Sequence, residues 1–181
     1  MIFENIRLKI GSLILRKRRA KVNRQKALYD FATAKYVGIV CNTDDEDSTN
    51  KLKTFLQFLS QKNINYLVIG YFDHKKVPDN FLYWKGFEFF TRKDLDLFFI
   101  PKIGAVDVFI QQSFDLLINC SIKEFFPIEY IIQLSSAKCK VGVLHSDDSG
   151  YDLMIDIKQQ ETVEYFLENL QLYLSDLRNH D

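Results

Sequence analysis

Cysteine is scarce and scattered. The 181-residue chain has three, Cys41, Cys120 and Cys139, with no CxxC pair and no histidine beside them at metal-ligand spacing. An odd number at wide spacing supports no disulfide framework, so a reduced, cytoplasmic protein is expected. No apolar run approaches the ~20 residues of a membrane span, which excludes a transmembrane helix. The start lacks the form of a signal peptide, because Arg7 and Lys9 interrupt its apolar residues and Arg16 to Arg19 follow them. Export is not expected. Glycine is missing where a dinucleotide or phosphate loop needs it, since the turn CNTDDEDSTN after the first apolar run has none and carries four carboxylates instead. A Walker A sequence, a GxSxG elbow and an internal repeat are absent as well.

What is present is enough for one core. Hydrophobic residues make up 47% and charged residues 27% of the chain, a balance that argues against a disordered majority. A chain of this length buries about 70% of its unfolded surface and needs no metal or disulfide for support. Acidic and basic residues cancel, 24 against 24, which excludes a uniformly basic coat protein.

That cancellation hides an asymmetry. Residues 1–34 carry nine basic side chains against Glu4 and Asp30, a net +7 that the remainder balances with −7. At ~100° per residue, Phe3, Ile6, Ile10, Leu13 and Ile14 share one helical face with Ile2, and Leu28 and Phe31 return to it later. Residues 1–34 are therefore expected to form a long basic amphipathic helical arm, bent near Gly11, with an apolar docking face made by Phe3, Ile6, Ile10, Leu13 and Ile14.

From residue 35 the pattern becomes short β-rich runs alternating with helical periodicity. Residues 36–41 (YVGIVC) and 66–70 (YLVIG) read as buried strands around a helix marked by Leu52, Phe55, Leu56 and Leu59, opened by a capping box of Thr43 and Glu46. Further strands are expected at 87–90, 115–119, 140–144 and, at an edge, 153–157. Helices are expected at 105–111, from Pro127 onward, and from Val163 to Leu174. Strands without alternation, separated by helices, imply an α/β, three-layer, Rossmann-like open sheet, mainly parallel, of five or six strands in the order 3-2-1-4-5. This Rossmann-like domain spans 35–181 and is expected to fold without the arm.

Two resemblances follow from these residues. The passage FDLLINCSIKEFFPIEYIIQLSSAKCKVGVL, residues 114–144, resembles the strand, helix, turn and strand of a Rossmann-like half of the heptosyltransferase group of GT-B glycosyltransferases. Such enzymes have two halves with the donor nucleotide between them, and this chain has length for one. The whole chain, basic start and small α/β body together, also resembles a family of short uncharacterised proteins from Bacteroidota, a domain of unknown function. That resemblance supplies no active site.

An open parallel sheet binds ligands beyond the carboxyl ends of its strands, where the strand order reverses. The candidate ligand pocket there comprises Asn42, Thr43 and Asp44, then Asn119 and Ser121, then His145 and Asp147. Asp44, Asp45, Asp147, Asp148 and His145 have the composition of a Mg²⁺ site at adjacent strand ends. However, carboxylates at a helix N-terminus stabilise its dipole, and Asp-Asp-Ser-Gly is ordinary turn composition. A receiver-like fold would also place a lysine near His145. The acidic residues read as structural, so no catalytic residue, metal ligand or cofactor is assigned.

The basic run 16–26 holds seven cations in eleven residues: Arg16, Lys17, Arg18, Arg19, Lys21, Arg24 and Lys26. Such a run repels itself unless an anion offsets it, so these residues are the candidate anion- or RNA-binding site. The expectation is a cytoplasmic, non-enzymatic binding or adaptor protein docked on a larger anionic assembly. A ribosome or other RNA–protein particle is favoured, read through phosphates and without DNA sequence recognition. One alternative is peripheral attachment to the inner membrane face through the same helix. The other is a small transferase or hydrolase using the strand-end pocket.

Overall fold

The structure is a computed structural model that describes residues 2–42, 46–81, 84, 86–145 and 150–176. Its frame is one sheet of six parallel strands in the order β3-β2-β1-β4-β5-β6. The strands are β1 (Tyr36–Asn42), β2 (Asn65–Phe72), β3 (Phe87–Thr91), β4 (Leu116–Asn119), β5 (Cys139–Val143) and β6 (Leu153–Ile155). The expected order holds for the first five, and the sixth adds a parallel edge. The central strands β1, β4 and β5 are buried almost throughout, which is why their sequences run apolar without alternation.

Helices α2 (Glu46–Gln61) and α5 (Val163–Asp176) cover one face. Their apolar stripes, including Leu52, Phe55, Leu59, Phe166 and Leu170, close the larger core against Val37, Ile39 and Ile118. Helices α3 (Gly104–Ile110) and α4 (Phe126–Leu134) cover the other, with Val106, Phe109, Ile128 and Ile131 packed on Val40, Ile69 and Leu117. The layered Rossmann-like α/β architecture expected from the sequence is present.

Helix α4 has the sequence FPIEYIIQL and is apolar nearly all round. A helix of that kind needs cover on both sides, and α1 (Ile2–Arg19) provides the outer one. Leu15 of α1 joins Tyr130 of α4 and Ile100 in a third apolar cluster, with Ile14 and Phe126 packed against it. Gly11 makes the close approach possible: a Cβ there would meet the Phe98 carbonyl oxygen at 2.3 Å and the Phe126 ring at 3.0 Å. The helix stays continuous at Gly11 where a bend was expected.

The expected length of this helix needs correction, because it ends at Arg19 and does not reach Leu28 or Phe31. Residues 22–30 carry no helix, and tertiary anchors hold them. The Arg24 guanidinium donates to the carbonyls of Ala137 (2.5 Å) and Lys138 (3.0 Å) and pairs with Asp152, and Ala27 N donates to Lys138 O at 3.2 Å. Phe31 then enters the main core, edge-on to Phe55 and Phe58, while Leu28 remains exposed. Helical periodicity in this stretch was fortuitous. The chain finally passes to β1 through Asp115, whose carboxylate accepts from the amides of Lys35 (2.9 Å) and Tyr36 (3.2 Å) and from Lys138 Nζ (2.9 Å).

Candidate functional site

The strand order reverses between β1 and β4, and a cavity of ≈ 400 Å³ lies at their carboxyl ends, beside residues of α2 and α5. Asn42 and Ser121 line it with Cys120, Asp47 and Ser48. The Asn42 amide N–H donates to Ser121 Oγ at 2.8 Å, and its side chain donates to the Tyr71 carbonyl at 3.2 Å. Lys51 of α2 and Glu164 of α5, both among the lining residues, form an ion pair of 2.5 Å. Burial and the neighbouring Cys41 push the Cys120 thiol well above the ordinary range, which disfavours the thiolate form that a nucleophile needs. Burial likewise pushes the Cys41 thiol up to about 12.

The other expected pocket residues are distributed differently. Thr43, Asp44 and Asp147 lie outside the described residues, as do Asp45 and Asp148. Asn119 is in β4 but is not among the residues lining the cavity. It donates to the Tyr151 hydroxyl at 2.7 Å, while its own Oδ1 accepts from the Ser121 amide at 3.0 Å. His145, two residues beyond β5, is half-buried and is not among the residues lining the cavity either. Among the described residues, no group of three or more His, Cys, Asp or Glu side chains is placed to hold a metal.

Asn119 belongs to a buried network that sequence reading did not reveal. Tyr151 donates its hydroxyl proton to Glu129 Oε1 at 2.7 Å, and Glu129 Oε2 is buried with no hydrogen-bond partner. Burial raises the Glu129 carboxyl above its usual range, with Tyr151 opposing that rise. Glu129 and Tyr151 are 22 residues apart and belong to different segments, so no local spacing announces them.

In the basic run Arg24 is half-buried and the other six cations are exposed, but their surroundings differ. Arg18 donates to the Tyr130 hydroxyl, and Arg24 is committed to Asp152 and two carbonyls. Arg19 and Lys26 border a second cavity, of ≈ 340 Å³, together with Arg24 and Lys140. Lys140, at 3% exposure in β5, is the buried cation of the group. Its only signal in the sequence is a lysine at the head of the apolar run KVGVL.

The apolar residues of α1 differ in the same way. Leu15 is buried and Ile14 half-buried against α4, while Phe3 (84% exposed), Ile6, Ile10 and Leu13 (65%) face away from the body. Four of the five residues expected on the docking face are thus exposed. Among the described residues, no helix is long and apolar enough to cross a membrane.

A family model described as "Family of unknown function (DUF6913)" matches residues 7–177, and the chain belongs to that family. The match embraces α1 from Arg7 onward as well as the whole sheet. No curated protein matches the chain. Nothing in these comparisons supports the resemblance of residues 114–144 to glycosyltransferases.

Proposed function

We propose that this member of a family of unknown function is a non-enzymatic adaptor whose α1 docks the α/β body on a larger anionic assembly, an RNA–protein particle in the leading reading. One observation carries it. Helix α1 is held to the body by Gly11 and Leu15, so its opposite side leaves Phe3, Ile6, Ile10 and Leu13 exposed on the same element as Arg16 and Lys17. An exposed apolar stripe of this kind is ordinarily covered by a partner, and the adjoining cations favour a partner that also bears anions. An RNA–protein particle supplies both, phosphates for the arginine and lysines and protein surface for the apolar residues.

The exposed phenylalanine at the N-terminal end of α1 supports a second reading. An anionic bilayer would take Phe3, Ile6 and Ile10 into its acyl boundary while Arg16 and Lys17 meet the headgroups.

Cosedimentation of the full-length protein separates the two. Changing Arg16, Lys17 and Lys21 to Gln is expected to release it from a native particle while altering stability by less than about 0.5 kcal/mol, because these cations are exposed. Raising salt from about 50 to about 200 mM should mimic that change and weaken RNA binding by orders of magnitude. Changing Phe3, Ile6 and Ile10 to Ser is expected to abolish binding to anionic vesicles if the bilayer is the partner. Should neither set alter sedimentation from a lysate, the docking reading is abandoned.

A further inference from the structure

The ≈ 340 Å³ cavity beside β5 is separate from the exposed stripe of α1. Arg19 from the end of α1, Arg24 and Lys26 from the segment after it, and Lys140 from β5 line it, with Asn23, Gln133 and Gly150 completing the wall. Among the described residues, four cations therefore converge where Asp152 is the one paired carboxylate. That carboxylate is already occupied: Asp152 pairs with Arg24, lies 3.2 Å from Lys26 Nζ and accepts the backbone amide of Lys140 at 2.8 Å. The formal excess among these described residues is about three positive charges.

Lys140 is the decisive residue. The side chain of Lys140 is almost wholly buried, no hydrogen bond from its Nζ is formed among the described residues, and the Nζ atom is not closed off from solvent, so the ammonium meets water only where the residue lines the cavity. Burial lowers its pKa to about 7, Arg24, Arg19 and Lys26 push the same way, and Asp152 alone opposes them. Arg19 is likewise without a hydrogen-bonded carboxylate in the described structure, and its guanidinium lies 3.4 Å from where a Cβ on Gly150 would stand. Gly150 has φ +130°, a backbone conformation that disfavours a side chain there, which keeps that wall low.

We infer that this cavity is a binding site for the phosphate group of a small phosphate monoester, held by Arg19, Lys26 and Lys140, with Arg24 and Asp152 positioning the cations. A dianion matches the unbalanced charge, and charge-assisted hydrogen bonds from guanidinium and ammonium suit phosphate oxygens. The volume falls within the range of small-molecule sites. The phosphodiester backbone of RNA is a poorer match, since each linkage is a monoanion and a continuous strand cannot bring its phosphates down to a lysine only 3% exposed. This site does not depend on the docking role of α1.

Calorimetric titration of the full-length protein with inorganic phosphate, sulfate and glycerol 3-phosphate tests the inference. Glycerol 3-phosphate is expected to bind with 1:1 stoichiometry. Lys140→Met should weaken that binding at least tenfold, and Arg19→Gln several-fold, while the ligand-free melting temperature of Lys140→Met is no lower than that of the wild type. Sulfate does not titrate near neutrality, so its affinity reports Lys140: binding favours the charged ammonium, and affinity should fall as pH rises above about 7. The inference fails if glycerol 3-phosphate does not bind, if Lys140→Met binds as the wild type does, or if only a 5′-phosphorylated oligonucleotide binds. Lys140→Met should still cosediment with the particle or vesicles, so failure here and failure of the docking role remain distinguishable.

Discussion

Glu129 shows how one buried group makes stability depend on pH. It lies in the first turn of α4, where a negative charge is favoured by the helix dipole. Burial opposes this, and its Oε2 atom has neither solvent nor a donor. The folded-state pKa is therefore raised above the ordinary 4.5. Between those two values the native state binds more protons than the unfolded chain, so stability falls as pH rises through that window. Glu129→Gln keeps an acceptor for Tyr151 and removes the charge. Its melting temperature should gain on the wild type as pH goes from about 5 to about 8, and an unchanged difference would show that Glu129 is ionised and compensated in the fold.

At the scale of elements, the contact between α1 and α4 depends on Gly11. By helix propensity alone, Gly11→Ala should stabilise α1 by about 1 kcal/mol. The Cβ would instead meet a backbone carbonyl oxygen at 2.3 Å, which cannot rotate away as a side chain would. The expected result of denaturant unfolding is a net loss of about 1–3 kcal/mol as α1 is lifted from α4. Gly104→Ala is the control, since a Cβ there meets nothing within 4 Å and the position begins α3. It should be neutral or gain up to about 1 kcal/mol.

For the molecule as a whole, residues 1–34 contribute to two of the three apolar clusters formed among the described residues: Phe31 and Ala34 to the one beneath α2 and α5, Leu15 to the one outside α4. Residues 35–181 were expected from sequence to fold alone. The contacts now predict that this fragment melts at a lower temperature and with reduced cooperativity, because removing α1 leaves Tyr130 and Phe126 of α4 uncovered. Calorimetric unfolding of the fragment beside the full chain checks this, and equal transitions would restore a separable arm.

The β-strands were legible because a central parallel strand buries both faces, so runs such as YVGIVC and DLLIN carry their own burial in their composition. The helices around Leu52, Ile128 and Leu167 were legible from apolar spacing, and the strand order from the alternation of elements and the rules of their connection. The reach of α1 was not legible: helical periodicity up to Phe31 is a local property, whereas the carbonyls and carboxylate that hold Arg24 lie more than a hundred residues away in sequence. The same limit concealed both buried polar groups. Sequence composition alone determined an α/β core and a basic start. Only tertiary structure decided which cations face solvent, which ones Asp152 binds, and that Lys140 is buried among three others, because charge pairing and desolvation depend on distance through space and not along the chain.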